Sequence, residues 1–98
     1  MDELLTHDTF LLKLNKIFHV QLDSSVIPLK LTRVDAHEQT GSNQDRIPFA
    51  LLFSGPADPL LNQRLYEMTE DELGSLAIFL VPVGQEKTGS VQYEAIFN

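Results

Sequence analysis

The chain has no cysteine, which removes disulfide staples, thiolate metal sites and thiol nucleophiles together. It also lacks any long apolar run. The longest, Leu76 to Val83, is about one strand in length, far below the ~20 residues that cross a bilayer as a helix. Basic residues are scarce and scattered, seven in all from Lys13 to Lys87, against fourteen acidic ones. Neutralising a phosphate backbone takes clustered Lys and Arg, so a net charge of −7 argues against nucleic acid. It argues equally against an anionic membrane surface. The start, Met1-Asp2-Glu3-Leu4-Leu5, is acidic where a secretory signal is basic, and a cytoplasmic location is the expectation.

What is present is ordinary globular material: 98 residues, 43% hydrophobic and 21% charged. That is the length of one domain, with no repeat and no linker. Leu4 to Leu14 has helical spacing, with Thr6 placed as the cap, Asp8 in the first turn, and Phe10, Leu11 and Leu14 on one face. Asn15 stands where helices end in the left-handed conformation.

From Ile17 the period changes to two. Phe18, Val20 and Leu22 face one way; after Asp23-Ser24-Ser25, so do Ile27, Leu29 and Leu31. Pro28 belongs at a strand start or edge. Val34 is out of step, which requires a bulge near Thr32 or Arg33. Ala36 to Arg46 reads as loop, and Phe49 to Phe53 as an apolar strand covered on both faces. Ala57 to Gln63 connects it to a strand from Arg64 to Thr69, with Tyr66 and Met68 on one side. Glu70 to Gly74 turns the chain into Leu76 to Val83, read as a central strand ending near Pro82. The last strand puts Val91, Tyr93, Ala95 and Phe97 inward. The expectation is therefore a mainly β fold: about six antiparallel strands in a small partly open barrel or two-sheet sandwich. One short N-terminal helix would plug an end.

Chemistry-bearing patterns are missing: no dinucleotide fingerprint, phosphate loop, His-Glu-x-x-His pair or calcium loop. His7, His19 and His37 are the only imidazoles, and Asp35, His37 and Glu38 read as a solvated loop cluster rather than a metal site. Glu70, Asp71 and Glu72 read as a solvated turn. Ser54 to Pro59 reads as a proline-fixed turn. No catalytic, cofactor-binding or metal residue is assigned, no cofactor is implied, and the chain is read as not an enzyme.

Phe53-Ser54-Gly55-Pro56-Ala57-Asp58-Pro59-Leu60-Leu61, Gln63, Tyr66, Leu73-Gly74, Phe79 to Gly84 and Tyr93 to Asn98 carry a resemblance. With Leu5-Thr6, Phe18 and Val20, this pattern resembles a family of small bacterial single-domain proteins known only as a domain of unknown function. Asn15 departs from it, at a position where glycine is expected. The resemblance implies company with phage-tail-collar-like proteins, and hence a non-enzymatic structural or interaction module with a protein partner, of unspecified oligomeric state. The alternative is a small-molecule-binding barrel with Tyr66, Met68, Tyr93 and Phe97 around an apolar cavity. A hydrolase using Asp71 or Glu72 with a histidine is the third reading.

Overall fold

A computed structural model describes residues 7–36 and 48–97. A short helix, α1 (His7–Leu11), precedes six strands: β1 (Ile17–Gln21), β2 (Val26–Ala36), β3 (Phe49–Gly55), β4 (Arg64–Glu70), β5 (Gly74–Gln85) and β6 (Val91–Phe97). All neighbours are antiparallel, and the order β1-β2-β3-β6-β5-β4 closes on itself. The fold is thus a closed barrel rather than a partly open one or a sandwich. Tight hairpins join β1 to β2, β4 to β5 and β5 to β6. The segment from Pro56 to Gln63 instead crosses one mouth to carry the chain from β3 to β4.

The period-two pattern explains the core directly, because alternate side chains of a strand face opposite sides of the sheet. Phe18 and Val20, Ile27, Leu29 and Leu31, Phe53, Tyr66 and Met68, Ile78 and Leu80, Val91, Tyr93 and Ala95 all face in. The phase slip in β2 is a register shift between Leu31 and Arg33 against β3, where the expected bulge lies. Thr32 donates its hydroxyl there to the Leu52 carbonyl at 3.0 Å. Gly55 is tight for another reason: a Cβ on it would collide with Leu29 Cδ2.

Pro28 sits inside β2, opposite His19, but the ladder to β3 begins only at Lys30. It therefore occupies an overhang, where a missing N–H is tolerated. β5 departs from expectation. It runs past Pro82 to Gln85, bending at a register shift between Pro82 and Gly84. It lies between β4 and β6, with Phe79 and Val83 exposed on its outer face, whereas Phe49 to Leu51 of β3, read as covered on both faces, are all buried.

Both mouths are filled from within the chain. At the mouth where β3 starts and β6 ends, α1 inserts Phe10, which is fully buried. Its ring lies 6.2 Å from Phe18, 5.8 Å from Phe49 and 5.4 Å from Phe97, within the range in which aromatic pairs attract. Leu11, expected on the same face, is exposed, and Lys13 is buried instead. Asn15 has φ 70° and ends the helical turn as expected. Its N–H donates to the Leu31 carbonyl at 2.7 Å, and the Leu31 N–H donates to Lys16 at 3.0 Å. At the far mouth Leu61 is buried, while Leu60 is exposed. The Leu61 N–H donates to the Tyr93 hydroxyl at 2.9 Å, tying the crossing segment to the barrel centre.

The Thr6 cap lies outside the described residues; so does the loop read over Ala36 to Arg46, except for Ala36, which ends β2. Emptying the helix plug tests the packing: Phe10→Ala is expected to cost ~3–5 kcal/mol. Urea denaturation checks this, and a loss below ~1 kcal/mol would mean that the helix does not seal the barrel.

Candidate functional site

The residues weighed for chemistry do not gather. His7 is in α1, with Nδ1 3.3 Å from Asp8 Oδ1 and its ring edge-on to Phe49. His19 is in β1, opposite Pro28 on one side and Thr69 on the other. Asp35 is the penultimate residue of β2 and pairs with Arg33 at 3.0 Å; His37 and Glu38 lie outside the described residues. Among the described residues no three His, Asp or Glu side chains converge as a metal-holding group. Tyr66, Met68, Tyr93 and Phe97 all face inward against the core. The Tyr66 hydroxyl donates to the Asn62 carbonyl at 2.7 Å. A shallow depression of about 430 Å³ opens at the far mouth instead, lined by Ala57, Leu60, Pro82, Gly84, Gln85 and Val91.

The acidic turn needs correction. Asp71 and Glu72 are exposed, but Glu70 is buried. Glu70 continues the inward phase of Tyr66 and Met68, and that alternation was the signal available in the sequence. Its Oε1 accepts the N–H groups of Glu72 and Leu73 at 2.9 and 2.8 Å, so it caps its own hairpin turn. Its Oε2 meets Lys13 Nζ at 3.2 Å, and Lys13 also bonds Glu72. Gly74 completes the turn at φ 77°.

Burial is the largest influence on the Glu70 carboxyl and pushes its pKa up. The two backbone N–H bonds and Lys13 together outweigh it and hold the group below its ordinary 4.5. For Lys13 the Glu72 hydrogen bond comes first and raises the pKa above 10.5. Burial opposes it, and Glu70 adds to the rise. Glu70 Oε1 holds the turn while its Oε2 and Glu72 bind Lys13, so the cluster clamps the segment after α1 to the β4–β5 turn, an arrangement suited to holding the plug rather than to proton transfer.

The outer wall of β4, β5 and β6 is the surface that stands out. Leu65 (58% exposed) is the partner of Phe79 (46%) across β4 and β5, and Ile96 (57%) lies on β6. All three occupy the outward phase, where polar residues are expected. Acidic groups rim them: Glu67 faces Ala77, Glu94 faces Val81, and Asp71 sits in the turn.

The ladders beneath are unequal. β4 and β5 pair from Arg64↔Leu80 to Glu70↔Gly74, and β3 and β6 along their whole length. β5 and β6 pair only from Gln85↔Val91 to Val81↔Glu94. Gly74 to Leu80 therefore has a hydrogen-bonded neighbour on one side alone among the described residues. Sequence reasoning missed this wall, although Leu65 and Ile96 break the alternation visibly.

The family model described as Domain of unknown function (DUF6916) matches residues 5–97. The chain belongs to that family. No curated protein and no solved structure matches it. The family assignment spans the helix, all six strands and the apolar wall, so wall and barrel fall within one family unit. No helix among the described residues is long and apolar enough to cross a membrane.

The ion cluster has a pH signature. Because the Glu70 pKa is lowered on folding, its stabilisation is complete above about pH 4.5 and is lost as pH falls through the lower folded value. Because that of Lys13 is raised, its share is complete below about pH 10.5 and is lost as pH rises through the higher folded value. Glu70→Gln keeps the turn's acceptor but not the charge. It is expected to cost ~1–3 kcal/mol at pH 7 and to flatten the acid limb of stability against pH. Superimposable curves for the two proteins would show that the charge contributes nothing.

Proposed function

We propose that the chain is a non-enzymatic interaction module whose outer β4–β5–β6 wall docks a protein partner. The observation that carries this reading is the row Leu65, Phe79 and Ile96, three large apolar side chains exposed on the outward face of β4, β5 and β6, where Ala77 and Val83 are exposed as well. A protein needs no such row to fold, and contiguous exposed apolar surface marks interaction sites more often than chance exposure. Mouths plugged by Phe10 and Leu61 and inward tyrosines tied by their hydroxyls also favour use of the outside of the barrel.

The finer role we propose is that of an accessory in a phage-tail-like assembly. It is supported by the resemblance carried by Phe53 to Leu61 and Tyr93 to Asn98, and it makes an assembly component the expected partner. The small-molecule reading draws its support from the far-mouth depression between Leu60 and Val91. Under that reading a compound raises the melting temperature of the wild-type chain and loses the effect in Leu60→Asp.

The wall is tested by affinity capture from the native host with three tagged chains. Wild type and the wall-remote Lys30→Glu are expected to recover the same protein in stoichiometric amount. Leu65→Glu combined with Phe79→Glu, still folded by circular dichroism, is expected to recover at least tenfold less. Equal recovery by all three, or none by any, would sink the proposal.

A further inference from the structure

We infer that the protein surface seated on the β4–β5–β6 wall has an apolar centre bordered by lysine or arginine. This rests on the interaction reading above and names the chemistry of the partner. The apolar side chains of the wall adjoin across strands. The β4–β5 register sets Leu65 beside Phe79. Continuing the β5–β6 register two residues past Val81↔Glu94 sets Phe79 level with Ile96. Ala77 and Val81 stand two residues to either side of Phe79, so five apolar side chains share one outward face. An apolar centre with a polar rim is the ordinary anatomy of a protein interface.

The rim is of one sign. Glu67 lies two residues from Leu65 and opposite Ala77; Glu94 lies two residues from Ile96 and opposite Val81. Asp71 is exposed in the turn that follows β4. The net charge of the chain does not by itself produce this, because charge divides by strand. β2 carries Lys30 and Arg33, with Asp35 paired to Arg33, and β3 carries no charged residue. β4, β5 and β6 carry one basic residue, Arg64, which begins β4 with its guanidinium 5.1 Å from the Tyr66 ring. Neither Glu67 nor Glu94 is ion-paired among the described residues; Glu67 accepts only the Ser75 hydroxyl, at 2.8 Å. Both charges are thus left for a partner of opposite sign, which complementary potentials steer and orient. A second copy seated wall to wall would set Glu67 and Glu94 of both chains against each other. That occupant is disfavoured.

The probe is the protein that the wild-type chain captures, identified by mass spectrometry, purified and titrated against each variant by calorimetry. Glu67→Lys combined with Glu94→Lys is expected to bind it at least tenfold more weakly at low ionic strength. Glu67→Gln combined with Glu94→Gln removes the charge without reversing it. That pair should lose most of the weakening that added salt causes in wild type, since salt screens exposed charges. If the lysine pair melts well below wild type, the salt dependence of the glutamine pair decides. Binding by both pairs as tight as wild type at every salt concentration would overturn the inference. The wall itself would still stand if Leu65→Glu with Phe79→Glu abolishes capture. Self-association of the purified chain that the same Leu65 and Phe79 changes remove would identify a second copy as the occupant, and would also overturn it. A wall that captures nothing removes the reading on which the inference rests, and the inference falls with it.

Discussion

Closing six short strands into a barrel leaves an interior that side chains must fill, and every other feature of this chain follows from how that filling is done. Small barrels are packed rather than hollow. Phe18, Leu29, Leu31, Phe53, Met68, Leu80 and Tyr93, one or two from each strand, are buried to the last few per cent. Strands alone cannot seal the ends, where the last inward residues would meet water. The chain solves this twice, with Phe10 from the helix at one mouth and Leu61 from the crossing segment at the other. Each plug is anchored by polar bonds at its back: Lys13 to Glu70 for the first, and the Leu61 N–H to Tyr93 for the second. The buried ions and the buried hydroxyl therefore belong to the same problem as the core.

The unequal ladders follow from the same geometry. α1 enters where β6 ends and reaches across to the β4–β5 turn, with Phe10 against Phe97 and Lys13 against Glu70. A plug spanning that mouth holds the ends of β5 and β6 to the core without requiring them to pair with each other. The inward side chains of β5 stay buried although, among the described residues, Gly74 to Leu80 pair with β4 alone.

Much of this was legible residue by residue. The phase of Phe18 and Val20, of Ile27 to Leu31, of Tyr66 and Met68, and of Val91 to Ala95 predicts their burial. The break at Val34 predicts the bulge, and Asn15 and Gly74 announce their positive φ angles. These are local properties: strand alternation, helix termination and turn conformation are decided by neighbours in sequence. The same local rule, pressed one step further, places Glu70 inward and Leu65 outward. A run of three acids reads as a turn and an apolar residue reads as core, and each reading hid the phase.

What only the tertiary structure decided is which strands meet and for how long. Nothing in β5 alone distinguishes a residue paired on both sides from one paired on one side, because pairing depends on β4, β6 and the plug together. Closure likewise depends on β1 finding β4 across a long sequence separation. The partnership of Lys13 with Glu70 needs the helix and the hairpin to arrive at the same mouth. The amino-acid order set the faces of each element, through side-chain alternation. The assembled barrel set the seam, the buried charge and the exposed wall, because those are relations between elements.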